Sequence, residues 1–327
     1  MKLILCLFIL TISCAVHKKD GPVFDKELTS FKYPFKVNTF EFNSQKQKMK
    51  MRYMDIGDKR ASKVVVLLHG KNFSGFYWER IAKDLRDRKY RVIIPDQIGF
   101  GKSTKPDFYQ YSFANLSLNT KKLLDHLDIK SFELVGHSMG GMLAVHMSTM
   151  YSRHISKLVL VNPIGLEDYL KYVEFKDPNF FYNIEINKTI SKFRDYQKKN
   201  YYDGKWSESY EELIIPFKGL INGSDYEVVA WNNALTYGPI FSEEIVTKLK
   251  EMKTPVHLIL GTRDRTGPGR NWKKKGVSRK LGLYNKLGRD IKKLNSRIHL
   301  YELAGLGHMP QFEDYEAFSK AFYRIMK

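Results

Sequence analysis

The sequence predicts an α/β fold, with a mostly parallel, twisted central sheet that is flanked by helices and carries a helical cap insertion. Three observations lead to this prediction. Short apolar segments, typical of buried parallel strands, alternate with helical patterns. A Gly-x-Ser-x-Gly turn joins one apolar segment to a helix at 136–140. Between 163 and 250 the alternation gives way to a segment rich in Tyr, Phe, Trp, Lys and Asn, with helical pieces and no clear strand.

The predicted strands and helices follow from hydrophobic patterning. Segments 37–42 and 49–54 are expected to open the sheet as an antiparallel pair. Segment 63–68 is almost continuously apolar, as a strand buried on both faces should be. Further strands are predicted at 91–95, from 132, at 157–161, 255–260 and 297–303, and helices at 76–85, 116–127, from 139 and at 315–325.

This order divides the chain of 327 residues into five segments. They are a signal peptide at 1–13, a linker at 14–35, a core at 36–162 and 251–327, and a cap at 163–250. A long basic segment at 271–294 is predicted as a second insertion. In alternating α/β sheets, sites form at the carboxyl ends of the strands, which is where the chain places His69, Asp96, Ser138 and Asn162.

The N-terminus has the pattern of an export signal. A positive start is followed by the uncharged apolar run 3–12 and by small residues at 13–15. Cleavage at this small-residue site would release a soluble protein. Segment 10–14 also resembles a bacterial lipobox, which would make Cys14 a lipidated first residue, and we favour this because it explains the cysteine. An uncleaved anchor is the third alternative. We expect an exported protein of the bacterial cell envelope, lipid-anchored or periplasmic or secreted.

Composition restricts partners and cofactors. Lys and Arg number 55 against 35 Asp and Glu, a net charge of +20. Because the lysines are scattered and no nucleic-acid-binding motif is present, a solvated basic surface is favoured over nucleic-acid binding. Membrane association through a lipidated Cys14 or a basic surface stays an alternative. The only other cysteine is Cys6, so the rest of the chain has no disulfide and no cysteine metal site. We predict no metal, no organic cofactor and a small-molecule substrate; the oligomeric state is left open.

The turn at 136–140 is typical of a nucleophile elbow. A serine at the tip of a sharp strand-to-helix turn needs neighbours without side chains, which Gly136 and Gly140 provide. The helix N-terminus behind Ser138 offers free N–H groups and a partial positive charge to a developing oxyanion. Ser138 is therefore the candidate nucleophile.

A serine nucleophile needs a base, and the base needs an orienting acid. Five histidines follow Ser138, and His308 lies in a loop just after the last predicted strand, where a base can reach the serine. The other four lie within or beside helices and strands, at 146, 154, 257 and 299. Asp264, just after strand 255–260, is the favoured acid, and Asp168 is its rival.

An oxyanion hole requires two backbone N–H groups. Met139, directly after the nucleophile, offers one, and Lys71, after His69-Gly70, offers the other. His69 is expected to brace its loop and Asp96 to stabilise its turn.

Together these motifs resemble the α/β-hydrolase fold superfamily, in the capped group that includes carbon–carbon bond hydrolases, cofactor-free haloperoxidase-like esterases and epoxide hydrolases. The resemblance covers about 36–327 and rests on segments 69–70, 96–103, 136–141, 261–264 and 307–308. Epoxide hydrolases carry Asp where this chain has Ser138, proline iminopeptidases usually have Trp at Met139, and carbon–carbon hydrolases usually have a more glycine-rich loop than 71–73. The resemblance implies a serine hydrolase and leaves the substrate open.

A carboxylesterase acting on a small or medium apolar ester is the first functional prediction. Hydrolysis of a carbon–carbon bond in a diketone-type substrate, and a non-catalytic binding protein on the hydrolase fold, are the alternatives. Lys71 and Arg263 flank the predicted site and are expected to attract a substrate carboxylate. The candidate substrate-contacting residues are Asn72, Phe73, His137, Trp231 and Tyr237.

Overall fold

The central sheet contains eight strands in the order β1-β2-β4-β3-β5-β6-β7-β8, in a computed structural model that describes residues 21–327. The pairs β1–β2 and β2–β4 are antiparallel and the others are parallel. The predicted fold class is therefore confirmed. The strands are Val37–Ser44, Gln47–Ile56, Lys63–Leu68, Tyr90–Pro95, Phe132–His137, Ile155–Val161, Val256–Gly261 and Ile298–Leu303 for β1 to β8.

Twelve α-helices accompany the sheet in the described residues. In the first half of the chain these are α1 Glu79–Asp87, α2 Phe113–His126 and α3 Met139–Met150. Between β6 and β7 lie α4 Pro178–Ile186, α5 Ile190–Asn200, α6 Glu208–Asn222, α7 Tyr226–Leu235, α8 Tyr237–Ser242 and α9 Val246–Glu251. The last three are α10 Tyr284–Leu294, α11 Pro310–Glu313 and α12 Tyr315–Ile325.

The sheet separates two hydrophobic cores. Successive side chains of a strand point to opposite faces, so Val66 and Leu68 of β3 lie in one core while Val65 and Leu67 lie in the other. All four are fully buried. Covering layers on both faces explain why this strand reads as an uninterrupted apolar run.

Residues 21–35 pack against the rest of the molecule, so the prediction of a linker at 14–35 is wrong for this part. Phe24 N–H donates to the carbonyl of Gly219 in α6 (2.9 Å). Leu28 is 1% exposed, and the Tyr33 hydroxyl donates to Asp96 (2.7 Å). This segment therefore bridges the cap helices and the core loops.

The basic segment 271–294 is not a separate insertion throughout, because α10 is part of the core. The buried residues Tyr284, Leu287 and Ile291 lie in the core cluster that also contains β7 residues. Their spacing places them on one face of the helix, while the lysines occupy the other. Deleting 271–294 would therefore expose the core.

The predicted signal at 1–13 and Cys14 lie outside the described residues. Within 21–327, no helix combines the length and the apolar character needed to cross a bilayer.

Candidate active site

The turn between β5 and α3 holds Ser138 in a strained conformation. Its φ is 56° and its ψ is −120°, a region that non-glycine residues rarely occupy. A Cβ on Gly136 would lie 2.2 Å from the carbonyl oxygen of Gly140, and one on Gly140 would lie 2.4 Å from the carbonyl oxygen of Leu68. Both positions therefore require glycine for steric reasons.

Three residues predicted from separate motifs come together at the carboxyl ends of the strands. His308 Nε2 lies 2.9 Å from Ser138 Oγ, and His308 Nδ1 lies 2.7 Å from Asp264 Oδ2. Asp264 follows β7 and His308 follows β8. Their exposed fractions are 8% for Ser138, 1% for His308 and 0% for Asp264. With its Nδ1 proton donated to the carboxylate, the imidazole presents Nε2 as an acceptor to the serine hydroxyl.

The Asp264 carboxylate is held by two further hydrogen bonds. Asn162 Nδ2 donates to Oδ2 (2.8 Å) and the Thr266 N–H donates to Oδ1 (2.7 Å). Burial by itself would raise the pKa of Asp264, but His308 and these donors outweigh it and hold the pKa below its usual value. The carboxylate is therefore ionised at neutral pH. Asn162 was predicted at a strand end, without a role in the site.

The rival acid and the other histidines lie in different surroundings. Asp168 pairs with Lys171 (3.3 Å) beside a short 3₁₀ helix. His146 Nε2 donates to the Glu243 carbonyl (3.2 Å), and His257 and His299 stack on each other at the far end of β7 and β8. His154 Nδ1 donates to the Lys130 carbonyl (2.7 Å). The geometry therefore gives no support to these five residues as members of the triad.

The loop after β3 runs directly past the serine. A Cβ on Gly70 would lie 3.1 Å from Ser138 Cβ. The Gly70 N–H donates to the Tyr77 hydroxyl (3.0 Å), whereas the Lys71 N–H has no acceptor within residues 21–327. Met139 is the first residue of α3, so its N–H has no acceptor within the helix. Both predicted oxyanion donors are therefore available for a ligand.

His137 holds two loops of the site together, and the structure gives no support to its prediction as a substrate contact. It is 1% exposed, and burial, followed by the influence of His308, lowers its pKa to about 3. The neutral ring donates from Nε2 to the His308 carbonyl (2.9 Å) and accepts at Nδ1 from the Tyr77 hydroxyl (3.0 Å). Together with the Gly70 N–H, these bonds connect the predicted oxyanion loop, residues 70–75 after β3, to the loop that carries His308. Tyr77 was missed because nothing in the sequence separates it from ordinary core aromatics.

Both cations predicted to flank the site form ion pairs with carboxylates. Lys71 Nζ pairs with Glu185 (3.0 Å), and the Arg263 guanidinium pairs with Glu313. The expectation that they attract a substrate carboxylate is therefore not supported. No group of three or more His, Cys, Asp or Glu able to hold a metal occurs within 21–327.

A cleft between the loop after β3 and the cap is lined by Lys71, whereas Ser138, Met139 and His308 are not among its lining residues. Its ≈ 560 Å³ of empty space includes open solvent. Of the predicted substrate contacts, Asn72 and Phe73 line it. Tyr237 lies under the Lys71 ammonium, 4.2 Å from Nζ to the ring centroid. The walls are largely apolar and include Phe76, Phe100, Phe193, Leu213, Phe217 and Leu220.

Trp231 lies elsewhere, and the structure gives no support to its prediction as a substrate contact. Its Nε1 donates to the Asp107 carbonyl (3.2 Å), and its ring lines an outer depression together with Tyr182 and Glu227. The triad contributes no residue to this depression.

The family model described as "alpha/beta hydrolase fold" matches residues 63–273. The chain belongs to the alpha/beta hydrolase fold family. Its structure resembles that of a probable hydrolytic enzyme from Pseudomonas aeruginosa PAO1, with a TM-score of 0.91 and 38% sequence identity over 94% of this chain and 99% of the other. The chain is a hydrolase of this family.

Curated relatives match shorter parts of this α/β hydrolase. A cis-3-alkyl-4-alkyloxetan-2-one decarboxylase from Xanthomonas campestris is 35% identical over 34% of this chain and 39% of its own length. A 2-hydroxy-6-oxo-2,4-heptadienoate hydrolase from Pseudomonas putida is 30% identical over 34% of this chain and 41% of its own length. The matches thus span about two fifths of the length of these two relatives.

Proposed function

We propose that this protein is a serine hydrolase and, more narrowly, a carboxylesterase that acts on small or medium apolar esters. The observation that carries the proposal is the unbroken hydrogen-bonded series from Ser138 Oγ through the His308 imidazole to Asp264. A serine is a weak nucleophile unless a base lies within hydrogen-bond distance, and here the distance is 2.9 Å.

The proposed reaction has two halves. His308 Nε2 takes the proton of Ser138 as Oγ attacks the ester carbonyl carbon, and the resulting oxyanion accepts hydrogen bonds from the N–H groups of Lys71 and Met139. The imidazolium, stabilised by ionised Asp264, then protonates the departing alkoxide and leaves an acyl-enzyme. A water molecule, deprotonated by the same imidazole, releases the carboxylic acid and restores the serine.

The apolar walls of the cleft favour an apolar acyl group. Lys71 of the oxyanion loop is part of the cleft lining, and we propose that the acyl chain extends from Ser138 past this residue towards the apolar walls. In the lining, Lys71 and Lys188 share the Glu185 carboxylate, and the Lys105 ammonium donates to the carbonyls of Gly101 and Ser103.

Carbon–carbon bond hydrolysis beside a ketone is the second candidate, because the same triad can serve it and because a heptadienoate hydrolase is among the relatives. A non-catalytic role is disfavoured by the continuous hydrogen bonding among all three triad side chains.

The experiment is steady-state hydrolysis of p-nitrophenyl acetate, butanoate and octanoate, and of a vinylogous diketone, by wild type and Ser138→Ala. We expect wild type to hydrolyse the esters faster than the diketone, and the variant to lose about 10³-fold or more of kcat. Faster cleavage of the diketone would replace the esterase proposal with its alternative. Equal rates for wild type and variant would reject Ser138 as the nucleophile.

Export is also part of the proposal and rests on the N-terminal sequence alone. We propose that the chain is lipidated at Cys14 in the cell envelope. Metabolic labelling with a radioactive fatty acid is expected to mark the wild type but not Cys14→Ala. Labelling of neither protein, with both recovered in a soluble extracellular fraction, would favour simple signal cleavage.

A further inference from the structure

The Lys71 side chain connects the oxyanion loop to the cap. Its backbone lies in the core loop that passes Ser138. Its ammonium lies among three cap helices: Nζ is 3.0 Å from Oε1 of Glu185 in α4, 3.2 Å from Oδ1 of Asn233 in α7, and 4.2 Å from the ring centroid of Tyr237 in α8. The residue that offers the oxyanion N–H is thus held from the cap side.

This contact is buried and charged. Lys71 is 9% exposed and Glu185 is 1% exposed. The second carboxylate oxygen of Glu185 pairs with Lys188 (2.5 Å). Burial opposes the charged form of Glu185, but the two ammonium groups outweigh it and lower its pKa to about 2. Glu185 is therefore an ionised bridge between one core lysine and one cap lysine.

Core residues hold the two ends of the oxyanion loop, and cap residues hold its middle. Gly70 is fixed by the Tyr77 hydroxyl and Gly75 by the Asp96 carboxylate (2.7 Å), both from the core. Between them, Asn72 Nδ2 donates to the hydroxyl of Tyr201, a cap residue (3.1 Å). Side-chain anchors of residues 71 and 72 thus come from the cap.

A buried ion pair of this kind is a poor source of net stability, because desolvation offsets most of the attraction between the charges. Its geometric effect is larger: a misplacement of about 1 Å in a catalytic group costs on the order of 10²-fold in rate. The bridge is therefore better suited to fixing the position of the loop than to stabilising the fold.

We propose that Glu185 is a positioning residue that, through Lys71, aims the Lys71 N–H at the acyl oxygen, so that the oxyanion hole is complete only when the cap is seated on the core. This inference rests on the proposed serine hydrolase function. It couples substrate enclosure to catalysis, since an open cap would leave one oxyanion donor misdirected.

The test compares wild type with Glu185→Gln on p-nitrophenyl acetate, whose acyl group is too small to need the cleft. We expect kcat to fall about 10- to 100-fold with little change in KM. Inhibition by a trifluoromethyl ketone, whose serine adduct carries an oxyanion, should weaken by a similar factor. Glu211→Gln is the matched control, because Glu211 pairs with Arg194 (2.6 Å) inside the cap, and it should retain both wild-type values.

Lys71→Met provides a second variant in case Glu185→Gln fails to fold. It keeps the Lys71 N–H and leaves Glu185 paired with Lys188, so no buried charge loses its partner. Lys71→Met should show the same fall in kcat and the same weakening of inhibition. In the double variant Lys71→Met/Glu185→Gln, kcat should fall no further than in either single variant. Reduced thermal stability with wild-type kcat and wild-type inhibition in these variants would overturn the inference alone. Failure of wild type to hydrolyse esters or bind the ketone would overturn the proposed function and the inference with it.

Discussion

Tyr201 of the cap lies over the imidazole of His308, with ring centroids 4.6 Å apart and an angle of 37° between the planes. The tyrosine is 3% exposed, and its hydroxyl accepts a hydrogen bond from Asn72 in the oxyanion loop. One cap side chain thus covers the proposed base and touches the proposed oxyanion loop. The cap therefore covers the side chain of the proposed base.

Two substitutions of Tyr201 distinguish the contact of its ring with His308 from the hydrogen bond of its hydroxyl with Asn72. Tyr201→Phe keeps the ring over His308 and should retain kcat/KM within about 3-fold, because the loss is one neutral hydrogen bond. Tyr201→Ala removes the cover and should lower kcat/KM for apolar esters by about 10-fold as water reaches the base. Steady-state kinetics with p-nitrophenyl butanoate measures both values. Full activity of Tyr201→Ala would show that covering His308 has no catalytic effect.

Asp264→Asn tests the choice of acid. The amide keeps the shape but cannot stabilise the imidazolium and favours the wrong tautomer, so kcat should fall by about 10⁴-fold. Asp168→Asn, at the rival position, should leave kcat unchanged because Asp168 pairs with Lys171 beside a short 3₁₀ helix. A large fall in kcat for Asp168→Asn, with little change in kcat for Asp264→Asn, would make Asp168 the acid in place of Asp264.

Narrowing the cleft should change chain-length preference. Leu213→Trp adds bulk to an apolar wall and is expected to reduce kcat/KM for p-nitrophenyl octanoate by at least about 10-fold while leaving the acetate within about 2-fold. Trp231→Ala, in the outer depression, is the control. It should leave the ratio of the kcat/KM values for the two esters unchanged. If the preference moves in Trp231→Ala instead, the acyl group occupies the outer depression.

Much of the site could be predicted from the sequence because its residues follow individually recognisable strands. β3 and β5 are short apolar runs, and Ser138, Asp264 and His308 each occupy the first loop after a strand. Parallel strands place such loops at one edge of the sheet. Residues that are far apart in the sequence, but that each follow a strand, therefore lie close together in the fold.

The features that the sequence did not predict depend on which face of the cap helices packs against the core. Glu185 and Tyr201 lie in helical segments rich in charges and aromatics, where nothing in the sequence separates a buried contact from a solvated one. The segment that contains Leu28 and Tyr33 is irregular in structure, so its buried residues show no helical or strand periodicity in the sequence. In α10 the apolar positions did have helical spacing, but the surrounding lysines obscured it.

Buried neutral histidines should make the fold sensitive to acid. Burial lowers the pKa of His137 to about 3 and that of His146 to about 4, below the value of about 6.5 for an unfolded histidine. The folded state then binds fewer protons than the unfolded state below pH 6.5. This contribution to stability is full above pH 6.5 and is lost as the pH falls towards 4, by at most about 1.4 kcal/mol per pH unit for each histidine.

Urea unfolding at pH 7.5, 6.0 and 5.0 measures this loss as a falling free energy of unfolding. His146→Gln should show a shallower dependence than wild type, and His126→Gln, at an exposed position, controls for the removal of a histidine. A free energy that is constant or rises towards pH 5 in wild type would contradict the assignment of neutral buried histidines.

The central claim is that Ser138 is activated by His308, and the most direct measurement is intact-mass labelling with a fluorophosphonate followed by peptide mapping. Wild type should gain the mass of one adduct, located on the peptide that contains Ser138, while Ser138→Ala and His308→Ala should gain none under the same conditions. An adduct on a different residue, or the absence of an adduct on folded wild type that also fails to hydrolyse p-nitrophenyl acetate, would contradict the account.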